Sequence, residues 1–247
     1  NLLLFSSNND IEAEKLCFEN IINQDISGLI VEPAQSSINN LHHESIVKLE
    51  KKGIQYIAIN ANCDEENSAY IIVDDEQGGY KLTNYLLGLG HRNIAAVFKA
   101  DDMQGERRRK GYIKALQEYN LCFNKSIVGE YITDNQDMYI DQFVKKMLSQ
   151  ENPPTAIVCY NDKVALRVID NCRKEGLEIP KDLSIVSFDD SSLAVSSDIK
   201  ITTIKHPKRE MGIMAAKCII DMIEGRIDKP QYVYDAELIV RESCRRI

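Results

Sequence analysis

TAIVCYNDKVALRVIDNCRKEGLEIPKDLSIVSFDD (155–190) is the stretch that decides the fold. A short apolar run ends at Asn161, a helical pattern covers 162–175, and a second apolar run over 183–190 ends in two aspartates. Short apolar strands that alternate with longer helices are typical of βαβ units, in which helices cover both faces of a parallel sheet. This stretch therefore predicts an α/β fold with parallel strands.

The same alternation fills most of the chain, in one series before residue 91 and another after it. Further strands are predicted at 27–33, 54–60, 70–75, 93–99 and 126–132. Two such series indicate two α/β lobes of similar build. The tail differs, because an extended segment at 201–207 and a helix at 208–224 precede 231–243, which alternates like an antiparallel or edge strand.

Polar side chains follow many of the predicted strands. In open parallel sheets, ligands bind beyond the carboxyl ends of the strands. The residues at these ends are Glu32, Asn60, Asp74, Asp75, Lys99, Asn161, Asp189 and Asp190. Such a set, with no nucleophile or metal cluster, favours a polyol ligand, whose hydroxyl groups both donate and accept hydrogen bonds. Asp162 is predicted to cap the helix that it opens, which leaves Asn161 at the rim of the sheet.

The motifs of the common catalytic classes are missing from the sequence. It has no G-x-G-x-x-G after a strand, no Walker loop and no G-x-S-x-G elbow. His91, at a helix-to-strand turn, is predicted to be structural, and His206 follows a strand. Asp189 and Asp190 could form an acid–base pair, but at such a position it is more common for one carboxylate to cap the following helix or turn and for the other to accept hydrogen bonds from a ligand. We therefore expect no enzyme, no catalytic residues, no metal and no cofactor.

The composition is that of a soluble globular protein. The 247 residues are 44% hydrophobic and 28% charged, with a formal net charge of −8 and a pI of about 5.2. An acidic body repels a polyanion, so no nucleic-acid surface is predicted here. Seven scattered cysteines without a C-x-x-C pair are typical of reduced thiols in a cytoplasmic protein. No apolar run is long enough to span a bilayer, and no signal peptide is recognised.

GERRRKGY (105–112) places four consecutive cations in this acidic chain. Consecutive helical residues lie about 100° apart, so the four cannot share one face. Helical periodicity puts Arg109 near the centre of the buried stripe and Arg108 at its margin, while Arg107 and Lys110 turn outward. One arginine could reach a ligand and the others remain solvated, and the geometry does not choose between Arg108 and Arg109.

Six phrases occur together in this chain. They are VDDEQGGYKLTNYLLGLGHRNIA (73–95), RRKGYIKAL (108–116), AIVCYND (156–162), LSIVSFDD (183–190), ITTIKHP (201–207) and LIVRES (238–243). In this order the phrases resemble the effector-binding domain of the LacI/GalR family of bacterial repressors. The resemblance implies two Rossmann-like lobes with parallel sheets, periplasmic-binding-protein-like of type I, joined by three crossovers and assembled as a homodimer.

The resemblance also implies the extent of the lobes. The N-terminal lobe would comprise 1–91 plus 207–229, and the C-terminal lobe 92–206 plus 230–247. A small sugar would bind between them. The family's domain begins with a strand and a helix before the strand that matches 1–6, and we expect both, and the DNA-binding domain, to be missing from this chain.

Ligand residues follow from the resemblance by motif. The arginine three residues before the glycine of R-x-x-G-[FY] is Arg108, the asparagine of the N-D pair is Asn161, and the first aspartate after S-F is Asp189. His206 stands where relatives often have glutamine, and Asn60 ends a strand that often supplies a polar contact. Glu32 and Lys99 are further candidates for ligand binding, chosen for their polar side chains at strand ends and not from the resemblance.

Two stretches narrow the resemblance further. Residues 6–36 and 98–111 are similar to family members that respond to L-arabinose and carry a GntR-type winged-helix DNA-binding domain. The predicted partners are therefore a small sugar effector, first of all L-arabinose, and operator DNA through a domain outside these residues, with no membrane. The alternatives are a periplasmic sugar-binding protein of an ABC transporter, which would share the fold, and a sugar-handling enzyme.

Overall fold

The computed structural model describes residues 2–36, 43–62 and 68–247. In chain order they form α1 (Ile11–Ile22), β1 (Gly28–Val31), α2 (His43–Lys51), β2 (Gln55–Ile59), β3 (Tyr70–Val73), α3 (Asp75–Gly88), β4 (Ile94–Lys99), α4 (Met103–Glu118), β5 (Val128–Tyr131), α5 (Gln136–Leu148), β6 (Ala156–Cys159), α6 (Asp162–Lys174), β7 (Ser184–Asp189), α7 (Leu193–Ser196), β8 (Thr202–Lys205), α8 (Lys208–Ile223), β9 (Gln231–Tyr234) and β10 (Glu237–Ile239). Helices and strands alternate as the sequence predicts. Among the described helices, none is long and apolar enough to cross a membrane.

Contacts divide the chain into two compact units. The first holds Asn1–Val73, Asp101–Met103 and Pro207–Tyr234, and the second holds Asp74–Ala100, Gln104–His206 and Asp235–Ile247. Helix α3 counts with the second unit because it packs against β6, β7, β8 and β10. This division differs from the predicted lobes, in which α3 belonged to the first lobe and β9 to the second.

The first unit is built on a parallel sheet of order β1-β2-β3-β9. Alternation along β1 places Leu29 and Val31 against the core formed with α1 and α2. On the opposite face, α8 packs so closely that a Cβ added to Gly28 would lie 2.7 Å from Ile219. A larger residue at this position would force the side chains of Ile219 and Ile223 on α8 to move.

Residues 2–7 form no strand, although the resemblance matches NLLLFS with one. Leu2 and Leu4 are 96% and 94% exposed. A strand needs a neighbour for its backbone N–H and C=O groups; among the described strands β1 pairs only with β2, and residues 2–7 do not pair with the other edge of β1. The apolar composition of this run therefore does not lead to a strand among the described residues.

The second unit is built on a sheet of order β10-β8-β7-β6-β4-β5, parallel except for β10. Every residue of β6 is buried, as expected of a strand with helices on both faces. The chain leaves β4 for β5 on one side and returns to β6 on the other, so the strand order reverses between β4 and β6. In open α/β sheets this point of reversal forms a crevice at the carboxyl ends of the strands.

The tail departs from its prediction as a single strand over 231–243. It forms two strands in two different sheets, because β9 pairs with β3 in parallel and β10 pairs with β8 in antiparallel fashion. Alternation of polar and apolar residues continues through both strands, so this pattern does not indicate the break between Tyr234 and Glu237.

Candidate functional site

Arg108 is the central side chain of the candidate site. It lies two turns into α4 and is 2% exposed, on a buried line that also holds Gly105, Tyr112, Ala115 and Leu116. The periodicity argument, which placed the neighbouring arginine at the centre of the stripe, was wrong. It aligned the stripe on apolar residues, whereas the first half of the buried face is formed by a glycine and an arginine.

The guanidinium group of Arg108 is held on several sides. Its Nε donates to Asp75 Oδ1 at 2.8 Å, and its Nη1 donates to the backbone carbonyl oxygen of Tyr160 at 2.7 Å. Its Nη2 faces Asp189 Oδ1 at 3.8 Å. The aromatic rings of Tyr160 and Phe188 lie 4.8 and 4.2 Å from the guanidinium carbon, in range for a cation–π interaction. The fork is thus fixed in one orientation.

Arg108 stays positively charged although it is buried. Burial alone would lower the pKa of the guanidinium group, but the attraction of the Asp75 carboxylate, together with Tyr160 and Asp189, raises this pKa above its ordinary value. A buried, permanently charged donor makes stronger hydrogen bonds to a bound hydroxyl than a neutral donor does.

Two glycines allow α3 and α4 to approach closely enough for this arrangement. A Cβ added to Gly111 would lie 1.9 Å from the carbonyl oxygen of Glu76, and one added to Gly79 would lie 2.1 Å from the carbonyl oxygen of Arg108. The helix backbones therefore touch where side chains would normally separate them. This contact carries Arg108 to Asp75, which stands in the first turn of α3.

Asn161, and not Asp162 as the sequence predicts, caps α6. Asn161 is the N-cap of α6, and its Oδ1 accepts a hydrogen bond from Val164 N at 3.0 Å. A ligand contact by Asn161 would therefore use its Nδ2 donor. Asp162, predicted as the cap, is 1% exposed.

The Asp162 carboxylate joins three segments of the second unit. It accepts from Ser187 Oγ in β7, from the backbone N and Oγ of Ser191 at 2.7 and 2.9 Å, and from Thr203 Oγ1 in β8 at 3.0 Å. Burial raises the pKa of this carboxyl group, and the hydrogen bonds from Ser187 and Ser191 oppose the rise. Asp162 fixes the loop that follows Asp189.

Asp189 and Asp190 both have positive φ, 101° and 47°. Left-handed backbone is uncommon for residues with a Cβ, and strained conformations of this kind cluster at ligand sites. Asp190 accepts from Arg241 Nη2 at 2.5 Å, which ties it to the C-terminal segment. The two aspartates thus have separate partners, and Asp189 is the one that faces Arg108.

The other predicted residues of the second unit lie at the same edge of its sheet. The β7–β8 register pairs Asp189 with Lys205, so His206 follows at the carboxyl end, where its backbone N donates to Asp189 O at 3.3 Å. Lys99 ends β4 and is half-buried. The structure therefore brings Arg108, Asn161, Asp189, His206 and Lys99 to one edge.

Glu32 and Asn60 belong to the first unit and lie beside each other there. They follow β1 and β2, and Asn60 Nδ2 donates to Glu32 Oε1 at 2.9 Å. Asn60 has a positive φ of 61°, a conformation that asparagine tolerates better than most residues. Together they form a polar pair at the carboxyl edge of the first sheet.

The remaining cations of GERRRKGY are less buried than Arg108. Arg109 Nη1 pairs with Glu130 Oε1 on β5 at 3.1 Å, and Lys110 pairs with Glu106 at 2.8 Å. Arg109 is thus engaged with a surface carboxylate, whereas Arg108 is the buried arginine of the pair. Arg107 is half-buried.

His91 is structural, as predicted. It is 1% exposed, with Nδ1 2.8 Å from Thr155 Oγ1 and Nε2 3.1 Å from the carbonyl oxygen of Arg245. The polar stretch that holds His42 and His43 predicts that both are solvated; His42 lies outside the described residues, and the side chain of His43 is not described. Among the residues that the structure describes, no group of His, Cys, Asp or Glu could hold a metal ion.

Sequence reasoning missed three residues that define the site. The sequence identifies Asp75 only as a strand-end residue, and it predicts Tyr160 and Phe188 as parts of apolar strands. The available signal was position, because Tyr160 directly precedes Asn161 and Phe188 directly precedes Asp189. Strand residues next to rim residues line the same crevice.

A family model of periplasmic binding protein-like domains matches residues 83–244. The chain belongs to this family, the class that its two parallel sheets and polar strand ends also define.

Two relatives with high identity to this chain are transcriptional repressors. The arabinose metabolism transcriptional repressors of Halalkalibacterium halodurans and Geobacillus stearothermophilus are each 42% identical, over 97% and 100% of this chain. The alignments cover 66% and 69% of those proteins, so the chain spans about two thirds of their length. A LacI-family transcriptional regulator from Enterococcus faecium, solved with bound ribose, superposes with a TM-score of 0.80 at 23% identity, over 94% of this chain and 84% of that one. The two repressors at 42% identity favour a transcriptional regulator over a transporter protein or an enzyme.

Proposed function

We propose that this chain is the sugar-sensing effector domain of a LacI-family transcriptional repressor and that its effector is L-arabinose. The observation that carries the proposal is the fixed fork of Arg108, whose Nη2 faces Asp189 Oδ1 at 3.8 Å at the carboxyl edge of the second sheet. A hydroxyl group can accept from the guanidinium and donate to the carboxylate at once. The identity of 42% to two arabinose metabolism repressors supports arabinose among the polyols.

Each side chain has a role in this proposal. Arg108 donates a charge-assisted hydrogen bond, Asp189 accepts from hydroxyl groups, and Asn161 donates through Nδ2 while its Oδ1 caps α6. His206 and Lys99 lie at the same edge and contribute further contacts. Glu32 and Asn60 of the first unit, and the inter-lobe cleft that the resemblance implies, stay predictions.

Sugar binding would then control DNA binding. We infer that arabinose shifts the population of the repressor towards a form with low operator affinity, by the differential affinity of the sugar for the two forms. Since the chain carries a net charge of −8, the operator would be held by a separate domain, for which the resemblance predicts the GntR type. A homodimer and a cytoplasmic location belong to the same proposal, and light scattering of the purified protein would measure the dimer.

Calorimetric titration against a panel of pentoses and hexoses tests the ligand. L-Arabinose should bind and its epimers should bind more weakly. If another sugar binds and L-arabinose does not, the effector is wrong and the fold is unaffected. Product formed from a bound sugar would restore the enzyme alternative.

Asp189→Asn tests the site. Losing a charged acceptor should weaken arabinose binding by about 10- to 100-fold, since a hydrogen bond to a charged group contributes about 1.5–3 kcal/mol. Asp198→Asn is the matched control, because Asp198 lies in the same unit and its side chain is 94% exposed. Asn161→Ser should keep the helix cap and lose the amide donor, so affinity should fall without loss of stability. Equal arabinose affinity in Asp189→Asn and the parent would reject the site.

A further inference from the structure

Asp75 binds Nε of Arg108, on the same edge of the guanidinium as Nη2, the nitrogen that faces Asp189. Both side chains are almost completely buried, at 3% and 2% exposure, and Arg108 Nε donates to Asp75 Oδ1 at 2.8 Å. Asp75 is not the residue that caps α3, because Asp74 is the N-cap and its Oδ1 accepts from Gln77 N at 2.9 Å. The two consecutive aspartates therefore have different partners: Asp74 caps α3, and Asp75 binds Arg108.

The contact fixes the direction in which the fork points. With Nε held by Asp75 and Nη1 held by the carbonyl oxygen of Tyr160, rotation about the last bonds of the side chain is blocked, and Nη2 is directed at Asp189. The rings of Tyr160 and Phe188 confine the guanidinium plane. A donor that is already oriented loses less conformational entropy when a ligand binds.

A second arginine–carboxylate pair in the same unit shows a different arrangement. Asp141 accepts from both Nε and Nη2 of Arg167, at 2.8 and 2.7 Å, and is 37% exposed. One carboxylate thus occupies both Nε and Nη2 of Arg167. In Arg108, Nε is bound by Asp75, and Nη2 faces a different carboxylate, that of Asp189. Because Asp75 binds only Nε, the Nη2 of Arg108 can donate a hydrogen bond to a ligand.

We propose that Asp75 is a positioning residue for sugar binding, which acts by holding Arg108 Nε so that Nη2 is presented together with Asp189 to a hydroxyl group of the sugar. The proposal rests on the proposed function of Arg108 as a sugar ligand. Asp75 itself makes no contact with the sugar in this arrangement.

The sugar-free protein provides the first test. The Nε–H signal of Arg108 in ¹H–¹⁵N spectra, assigned by its loss in Arg108→Lys, should be resolved and should exchange slowly with water. It should broaden or exchange faster in Asp75→Asn and stay unchanged in the matched control Asp141→Asn. A rapidly exchanging Nε–H in the parent protein overturns the proposal, whether or not any variant folds.

Sugar titrations provide the second test, as a double-mutant cycle. Asp75→Asn should weaken binding of arabinose by about 10-fold or more in the parent, and by less than about 2-fold when Arg108 is already methionine, because Asp75 acts through Arg108. Additive losses in the two backgrounds would indicate a structural role and overturn the proposal. Asp141→Asn should bind like the parent.

The two tests separate this inference from the proposed function. If the parent binds no sugar of the panel, the sugar-sensing function fails, and the Nε–H spectrum still decides whether Asp75 fixes the fork. If the parent binds a sugar other than arabinose, the cycle is measured with that sugar.

Discussion

Replacing Gly111 by alanine should force α3 and α4 apart. The added Cβ would lie 1.9 Å from the carbonyl oxygen of Glu76 and 2.5 Å from the backbone nitrogen of Tyr80, whereas real Cβ atoms essentially never come within 3.0 Å of another group. Both obstructing atoms belong to the backbone of α3, so no side chain can rotate out of the way. The helices must therefore separate by about 1 Å.

The expected cost follows from this geometry. Overpacking a close contact costs about 1–3 kcal/mol, and a backbone clash belongs at the upper end, at about 3 kcal/mol. Alanine is the better helix former by about 1 kcal/mol, which offsets part of the cost. The net loss is about 2 kcal/mol, and at 2–4 °C per kcal/mol for a chain of this size the melting temperature should fall by about 4–8 °C.

Thermal unfolding followed by circular dichroism measures this difference. Gly88→Ala is the matched control, since Gly88 lies in α3 and a Cβ there would have nothing within 4 Å. The control should be more stable than the parent by about 0.5–1 kcal/mol, because alanine replaces an exposed helical glycine. If Gly111→Ala melts at or above the temperature of Gly88→Ala, the close contact of the two helices is not the reason for this glycine.

Two further predictions concern buried ionisable groups of the second unit. Burial lowers the pKa of His91, and its hydrogen bond to the Arg245 carbonyl opposes this change. The unfolded state therefore binds a proton more readily than the folded state. The contribution of neutral His91 to the stability of the fold should be complete above about pH 6.5 and should decline as the pH falls below that value. Melting temperatures between pH 5 and 8 should fall more steeply on acidification in the parent than in His91→Gln, and parallel curves would contradict this. Asp162→Ala should cost about 3 kcal/mol by urea unfolding, because Ser187 and Thr203 lose a buried acceptor, and a loss below 1 kcal/mol would show that the network contributes little.

The alternation of strands and helices was predictable because it depends on local patterns. The strand that ends at Asn161 and the strand that ends at Asp189 each carry their own apolar run, and the structure places both where the sequence predicts them. The parallel sheet follows from the helices between them. Residues 2–7 show the limit of the same reasoning, since an apolar run forms a strand only where a neighbouring strand accepts its hydrogen bonds.

The roles of individual polar residues depend on partners that are distant in sequence. Asn161 and Asp162 are both good caps by residue type, and the choice between them is made by Ser187 and Thr203, whose hydroxyl groups require a buried acceptor. No local pattern contains this information. A rule that assigns the cap from one residue and its neighbours therefore selects the wrong member of the pair.

Arg108 shows how a motif can carry information that periodicity lacks. Helical periodicity assumes that a buried face is apolar, and here a charge is buried because Asp75 meets it from another helix. The approach of that helix depends on Gly111, which stands one turn after Arg108 on the same face of α4 and touches the backbone of α3. The spacing R-x-x-G thus describes one physical unit, a glycine that brings two helices together and an arginine that uses the contact. An alanine at position 111 should therefore displace the guanidinium from Asp75 as well as reduce stability, which ties the packing of α3 and α4 to the proposed affinity for sugar.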